Sequence, residues 1–274
     1  MQPVTALTIA GSDSGGGAGI QADLRTFSAF QVHGTCAITA VTAQNTLGVT
    51  RVYNVEPSLV LDQARSVLED FSVVAVKTGM LAQPSTVEAV AELARAGELA
   101  NLVVDPVLVS SSGHALMSEG GPSAYRESLL PHAMLVTPNL REAAVLCDID
   151  VRDIKSIDDM VQLGQVLLGY GSKSVLVKGG HLIEAGATSH RAPDILLYAD
   201  NIDIFDAERV VTRNDHGTGC SLSAAIAAGL GLGRPLTNAT RDAKSFVLAA
   251  LKGAASWQLG QGHGPIDHLG WQGE

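Results

Sequence analysis

Five short apolar runs, each cut off by glycine or a polar residue, restrict what this chain can fold into. They are VTALTIA (4–10), VVAVK (73–77), LVVD (102–105), MLVT (134–137) and SVLVK (174–178). None alternates strictly between polar and apolar residues. Each therefore suits a strand buried on both faces, and such strands belong to parallel sheets covered by helices. Between them, helical periodicity and end signals such as Pro57 predict helices over roughly 18–30, 57–70, 85–96, 139–146, 157–170, 217–230 and 237–259. Further strands are expected at 35–42, at 49–55 as a more exposed kind, and at 195–198 and 202–212 as an antiparallel pair. The alternation argues an α/β fold. A central, mostly parallel β-sheet would be flanked by helices on both faces, as a three-layer α/β/α arrangement.

No low-complexity stretch, repeat or linker divides the chain, so residues 1–274 are expected to form a single domain. With 46% apolar and 17% charged residues, it can build a large core. A formal charge of −10 disfavours nucleic acid and anionic membrane as partners, because both reward clustered Lys and Arg. The start lacks a basic segment and reads as a first strand, not a signal peptide. The longest small-apolar run, 221–233, is too short and glycine-rich to span a bilayer. Cys36, Cys147 and Cys220 lie far apart without CxxC spacing, which fits a reducing, cytoplasmic setting better than disulfides or zinc.

The strand exits carry the unusual residues. GSDSGGGAG, AQN, TGM, DPV, TPN and KGGH each follow an expected strand. Ligands of such sheets bind at the carboxyl ends of strands, so one cleft is expected there. The glycine run includes the G-x-G-x-x-A form at Gly17, Gly19 and Ala22, but no Asp or Glu occurs between Asp23 and Glu56. A dinucleotide site needs an acid there for the ribose, so a dehydrogenase is excluded. No Lys-Ser/Thr follows the glycines either, as a Walker loop requires. What is left is a loop that lets backbone approach a small ligand, or a mere tight turn.

HGTGC places Gly217, Thr218 and Gly219 at a helix start, where unpaired N–H groups and the positive dipole end suit a phosphoryl group. An ordinary glycine-started core helix is the alternative. In TPNLREA, Glu142 either caps the helix begun after Asn139 or serves Mg²⁺. Asp105 in DPV is a metal- or phosphate-site group or a turn former, and Lys178 in KGGH is a phosphate cation or a solvated turn residue. Gln44 can donate and accept together at a heteroaromatic edge, although a lone Gln is more often structural. His33, His114, His132, His190, His263 and His268 show no metal spacing and read as surface or loop residues.

The order AGSDSGGGAGIQADL, TAQNT, KTGML, DPV, TPNLREA, KGGH and HGTGC resembles the hydroxymethylpyrimidine/phosphomethylpyrimidine kinases of thiamine biosynthesis, members of the ribokinase-like superfamily. The similarity runs from about residue 5 to GPIDHL near the C-terminus. It implies ATP as co-substrate, Mg²⁺ as cofactor and a homodimer. By position it implies that Gln44 reads the pyrimidine while Gly11, Ala18, Asp23, Met80 and Val107 line its pocket. Asp105, Asn139 and Lys178 would serve ATP, with Thr212 and Lys244 towards the nucleotide and Glu142 towards Mg²⁺, directly or through water. Cys220, beside Gly217–Gly219, would be the catalytic base. A thiol at a helix N-terminus is expected below its ordinary pKa of about 8.5. Two departures stand out: SSSG at 110–113 where the family commonly has Lys-Ser-Gly, and Asp215 where it usually has Thr. The alternatives are a pyridoxal or pyridoxine kinase of the same superfamily and a non-catalytic binder of a vitamin precursor.

Overall fold

The computed structural model describes residues 2–109, 116–180, 182 and 191–271. Among the described residues nine strands form one sheet: β1 (Thr5–Asp13), β2 (His33–Asn45), β3 (Gly48–Asn54), β4 (Val73–Thr78), β5 (Val103–Val104), β6 (Leu135–Val136), β7 (Ser174–Lys178), β8 (Asp194–Tyr198) and β9 (Asn201–Phe205). Their order is β3-β2-β1-β4-β5-β6-β7-β8-β9. The six strands β2, β1, β4, β5, β6 and β7 run parallel, while β3 pairs antiparallel with β2 at one edge, and at the other β8 pairs antiparallel with β7 and β9 with β8.

The continuous apolar runs are explained by what each face meets. Ala6, Ala75, Val103, Leu135 and Leu176 face one buried cluster with α1 (Gly19–Ala29), and their neighbours Leu7, Val76, Val104, Val136 and Val175 face the other with α2 (Pro57–Asp70). Successive side chains of a strand point to opposite faces, so both faces must be apolar when both are covered. The second layer also holds α3 (Pro84–Arg95), a short α4 (Gly121–Ala124), α5 (Leu140–Cys147) and α6 (Ile157–Leu168). The first is completed by α7 (Thr218–Gly231) and α8 (Leu236–Ala254).

Helix α7 is buried on every side, which its run of Ser, Ala and Gly allows. A Cβ on Gly229 would stand 2.8 Å from that of Ala239, so this glycine sets how closely α8 can lie.

Strands β1 and β2 run on to Asp13 and Asn45, beyond the expected ends at 10 and 42, and three further differences stand out. The segment 121–132 was not anticipated and forms α4, a π turn at Tyr125–Leu129 and a 3₁₀ turn at Leu130–His132. Strand β9 stops at Phe205 instead of near residue 212, because Ala207–Val210 turn away to line the cleft. Helix α8 ends at Ala254 instead of 259, where the Asn214 side chain donates to the carbonyls of Ala254 (2.7 Å) and Trp257 (2.9 Å). Topologically, β1 connects to one side and β4 lies on the other. Their carboxyl ends thus form the switch point at which ligands bind in open α/β sheets.

Candidate active site

At that switch point opens a cleft of about 430 Å³, lined from all six special strand exits. The glycine loop after β1 folds back on its own acid. Asp13 accepts N–H bonds from Gly15 (2.8 Å), Gly17 (3.1 Å) and Ala18 (2.9 Å), so these N–H groups are already engaged. Burial favours the protonated Asp13, yet the bond from His216 and those of the loop hold its carboxyl below the usual range. The glycines also let two turns interlock. A Cβ on Gly217, whose φ is +86°, would meet the Gly17 carbonyl oxygen at 1.9 Å. Gly11, Ala18, Met80 and Val107 line the cleft, and Gln44 stands at its wall beside His216.

Asp23 does not join them. It has no exposed surface and is bound by Lys77 Nζ at 2.9 and 2.8 Å and by Thr8 Oγ1 at 2.6 Å. The expectation that it lines the substrate pocket is corrected: a carboxylate at this depth needs a cation, and Lys77 on β4 supplies it. Burial opposes the Lys77 charge, but Asp23, with Cys220 and Asp105 near, outweighs it and pushes its pKa up.

Helix α7 begins at Gly217, which offers no side-chain acceptor to the first-turn N–H groups. Its first residues bridge the cleft. Cys220 faces the Gly19 backbone N–H, which favours its thiolate, on one side, while a Cβ on Gly219 would lie 3.2 Å from Lys178 Nζ on the other. Thr218 also lines the cleft. The expected lowering of the Cys220 thiol does not occur. Burial, reinforced by Asp23 and Asp105 against the pull of Lys77, raises it to about 11. The helix terminus is outweighed by desolvation among carboxylates.

The polar end of the cleft is built on Asp105. Its carboxylate accepts from Lys178 Nζ (2.8 Å), Thr137 Oγ1 (3.2 Å) and Ser223 Oγ (3.2 Å). Burial opposes its charge, but Lys178 and Lys77 hold its pKa down. Asn139 and Glu142 form a capping box: Glu142 N–H donates to Asn139 Oδ1 (2.9 Å) and Asn139 N–H to Glu142 Oε2 (2.8 Å). Capping and cleft are therefore not alternatives, since both residues also line the cavity. Burial, with Asp105 beside it, pushes Glu142 up to about 7 despite Lys178.

These donors suit Mg²⁺ in one manner only. No group of three or more His, Cys, Asp or Glu among the described residues could hold a metal by itself. Mg²⁺ commonly keeps several waters and takes one or two carboxylates together with substrate phosphates. A buried Glu142 with one oxygen outside its cap fits that role, and a cation would favour its charged form.

Lys244 lines the cleft with its Nζ tied to Asp194 Oδ2 and the Ala192 carbonyl, both at 2.6 Å. Thr212 is absent from the lining, and its hydroxyl accepts the Asn214 N–H (3.0 Å) in the turn before α7. Asp215 sits at the exposed rim, bound to His263 Nδ1 at 2.8 Å. Residues 110–113, His114, His181 and His190 lie outside the described residues.

His268 is not a surface residue. It is buried, shares a 2.7 Å hydrogen bond with Ser221 Oγ on α7, and is driven by burial down to about 4. Sequence reasoning also missed the Asp13–His216 pair, Lys77, and the apolar wall of Val210, Val247, Leu248 and Leu251. Only the apolar stripe of α8 could have signalled that wall.

Comparison with known proteins gives this geometry its context. The family model described as phosphomethylpyrimidine kinase matches residues 13–267. The hydroxymethylpyrimidine/phosphomethylpyrimidine kinase of Rhizobium meliloti is 48% identical over 265 residues, 96% of each chain. A thiamine biosynthesis bifunctional protein of Geobacter sulfurreducens is 42% identical over 263 residues, 96% of this chain and 52% of that one. Among solved structures, an ADP complex of Bacillus subtilis pyridoxal kinase superposes with TM-score 0.87 at 35% identity, covering 97% of this chain and 98% of that one. A phosphomethylpyrimidine kinase from Clostridium difficile gives TM-score 0.78 at 38% identity, covering 90% and 99%.

Proposed function

The chain belongs to the phosphomethylpyrimidine kinase family, and from that premise we propose that it phosphorylates 4-amino-5-hydroxymethyl-2-methylpyrimidine with ATP and then converts the monophosphate to the diphosphate, in thiamine biosynthesis. One observation carries the reading: the first turn of α7 sets Cys220 facing the Gly19 backbone N–H and Gly219 beside the Lys178–Asp105 pair. A hydroxyl held at the first and a γ-phosphoryl group held at the second would meet over the same N–H groups.

Phosphoryl transfer asks for in-line positioning and charge neutralisation more than for covalent chemistry. Gln44, Gly11, Ala18, Met80 and Val107 hold the pyrimidine. Lys178, the α7 N–H groups and Asn139 receive the phosphates, and Lys244 lies on the nucleotide side. The wall of Val210, Val247, Leu248 and Leu251 suits the adenine ring. Mg²⁺, held by Glu142 directly or through water, supplies neutralisation of the phosphate charge. Cys220 accepts the hydroxyl proton in its thiolate form, a minor form at neutral pH that Lys77 favours. The enzyme is read as one domain, cytoplasmic, and a homodimer; the exposed apolar residues Val52 and Tyr53 on edge strand β3 support the last.

Incubation with the pyrimidine and ATP–Mg²⁺, resolving mono- from diphosphate over time, tests both steps. Monophosphate that accumulates unconverted refutes the second, and no ATP consumption refutes the kinase reading. The likeness to pyridoxal kinase makes pyridoxal phosphorylation a second reading, tested by comparing kcat/KM for the two substrates.

A further inference from the structure

We infer that Asp13 and His216 fix the orientation of the Gln44 side-chain amide, and with it the order in which the cleft presents a donor and an acceptor to the substrate ring. The inference rests on the proposed pyrimidine site and identifies how that site tells one ring edge from another.

The hydrogens can be followed from atom to atom. Asp13 takes three backbone N–H bonds and acts as an acceptor only. His216 Nε2 lies 2.9 Å from Asp13 Oδ2, so it carries hydrogen on that nitrogen. The ring packs against Gly17 so closely that a Cβ there would come within 2.4 Å of Cδ2, so it cannot turn towards that loop.

Gln44 stands between His216 and Thr42, with Nε2 3.2 Å from His216 Nε2 and Oε1 3.2 Å from Thr42 Oγ1. Both neighbours oppose that orientation. The single hydroxyl hydrogen of Thr42 goes to the Ser12 carbonyl at 2.9 Å, which can only accept, so Thr42 Oγ1 meets Gln44 as an acceptor. On the other side an amide N–H would face an imidazole N–H. Turning the amide by half a turn resolves both contacts: its N–H then donates to Thr42 Oγ1, and its oxygen shares the His216 hydrogen with Asp13. Amide oxygen and nitrogen are assigned by such networks, not by shape.

One N–H and one lone pair of the amide are left side by side, and Gln44 lines the cleft. This is the edge with which Gln reads a ring nitrogen and its neighbouring amino group bidentately. A pinned amide reads that pair in one sense only. The 4-oxo counterpart of the pyrimidine exchanges donor and acceptor. It could bind only by reversing the amide or by turning the ring over, which carries the 5-hydroxymethyl group away from its place. Asp13 and His216 thus act as positioning residues through Gln44.

The test is direct calorimetric binding of 4-amino-5-hydroxymethyl-2-methylpyrimidine and its 4-oxo counterpart to the full chain. The variants are His216→Phe and Thr42→Val, which release the amide from opposite ends, each with its urea midpoint recorded. The unsubstituted protein is expected to prefer the amino compound by at least about tenfold, the worth of one to two hydrogen bonds. The preference should shrink several-fold in either folded variant, with the 4-oxo affinity holding or rising. Equal weakening of both ligands at an unchanged ratio overturns the inference and leaves the pyrimidine site standing. Failure of the unsubstituted protein to bind either ligand overturns the site and the inference together.

Discussion

Lys77 and Asp23 meet with no exposed surface on either side chain, the ammonium 2.9 and 2.8 Å from the two carboxylate oxygens. Breaking such a pair leaves one charge buried alone, which costs about 3–5 kcal/mol, whereas removing both is far milder. Lys77→Met should therefore lower the urea midpoint sharply, and the double variant Lys77→Met/Asp23→Leu should recover most of the loss. Equal instability of single and double variants would show that the site needs the ions themselves.

With its thiol near 11, Cys220 is protonated at neutral pH. If its thiolate is the base, kcat should climb with pH throughout the range below about 11, tenfold per unit at most. Cys220→Ala should lose this climb and lower kcat by about 10²–10⁴-fold, the usual worth of general base catalysis, with pyrimidine affinity much less affected. Near-normal turnover by Cys220→Ala ends the base role. Activity retained by Cys220→Asp would show that any base at this place suffices.

Glu142 near 7 makes a stability prediction whose sign is fixed by linkage. Its folded pKa is raised above the ordinary carboxylate value, so the folded state favours the protonated form. That contribution is complete below the unfolded pKa and is lost as pH rises through about 7. Without nucleotide or Mg²⁺, Glu142→Gln should melt close to the unsubstituted protein at pH 5 and above it at pH 8.5. The difference should be on the order of 1–3 kcal/mol. The same variant should lose most kinase activity. A melting difference independent of pH would rule out titration of this group.

Gly217 allows no side chain. Its φ is +86°, and a Cβ would stand 1.9 Å from the Gly17 carbonyl oxygen, a backbone atom that cannot step aside. Gly217→Ala should part the two turns and reduce kcat/KM by at least about tenfold, with a stability loss of about 1–3 kcal/mol. Unchanged kinetics would mean that the turns do not need to interlock.

Local pattern carried much of this structure. The sequence by itself determined the alternation of buried strands and helices, because side-chain periodicity and end signals act within a few residues. Helix α2 and strand β7 begin and end where the pattern places them. It also determined that the polar and glycine motifs fall at strand ends, and hence that Gln44, Asp105, Glu142, Lys178 and Cys220 share one cleft. Partnership was not legible in the same way. Asp13 reaches His216 across 203 residues and Asp23 reaches Lys77 across 54, distances at which nothing in the chain marks one residue as the other's neighbour. Only the tertiary structure decided that Asp23 is an interior charge and not a pocket residue, and that the Cys220 thiol is raised and not lowered. Both follow from desolvation and from charges brought close by folding, quantities that exist only once distant segments have packed together.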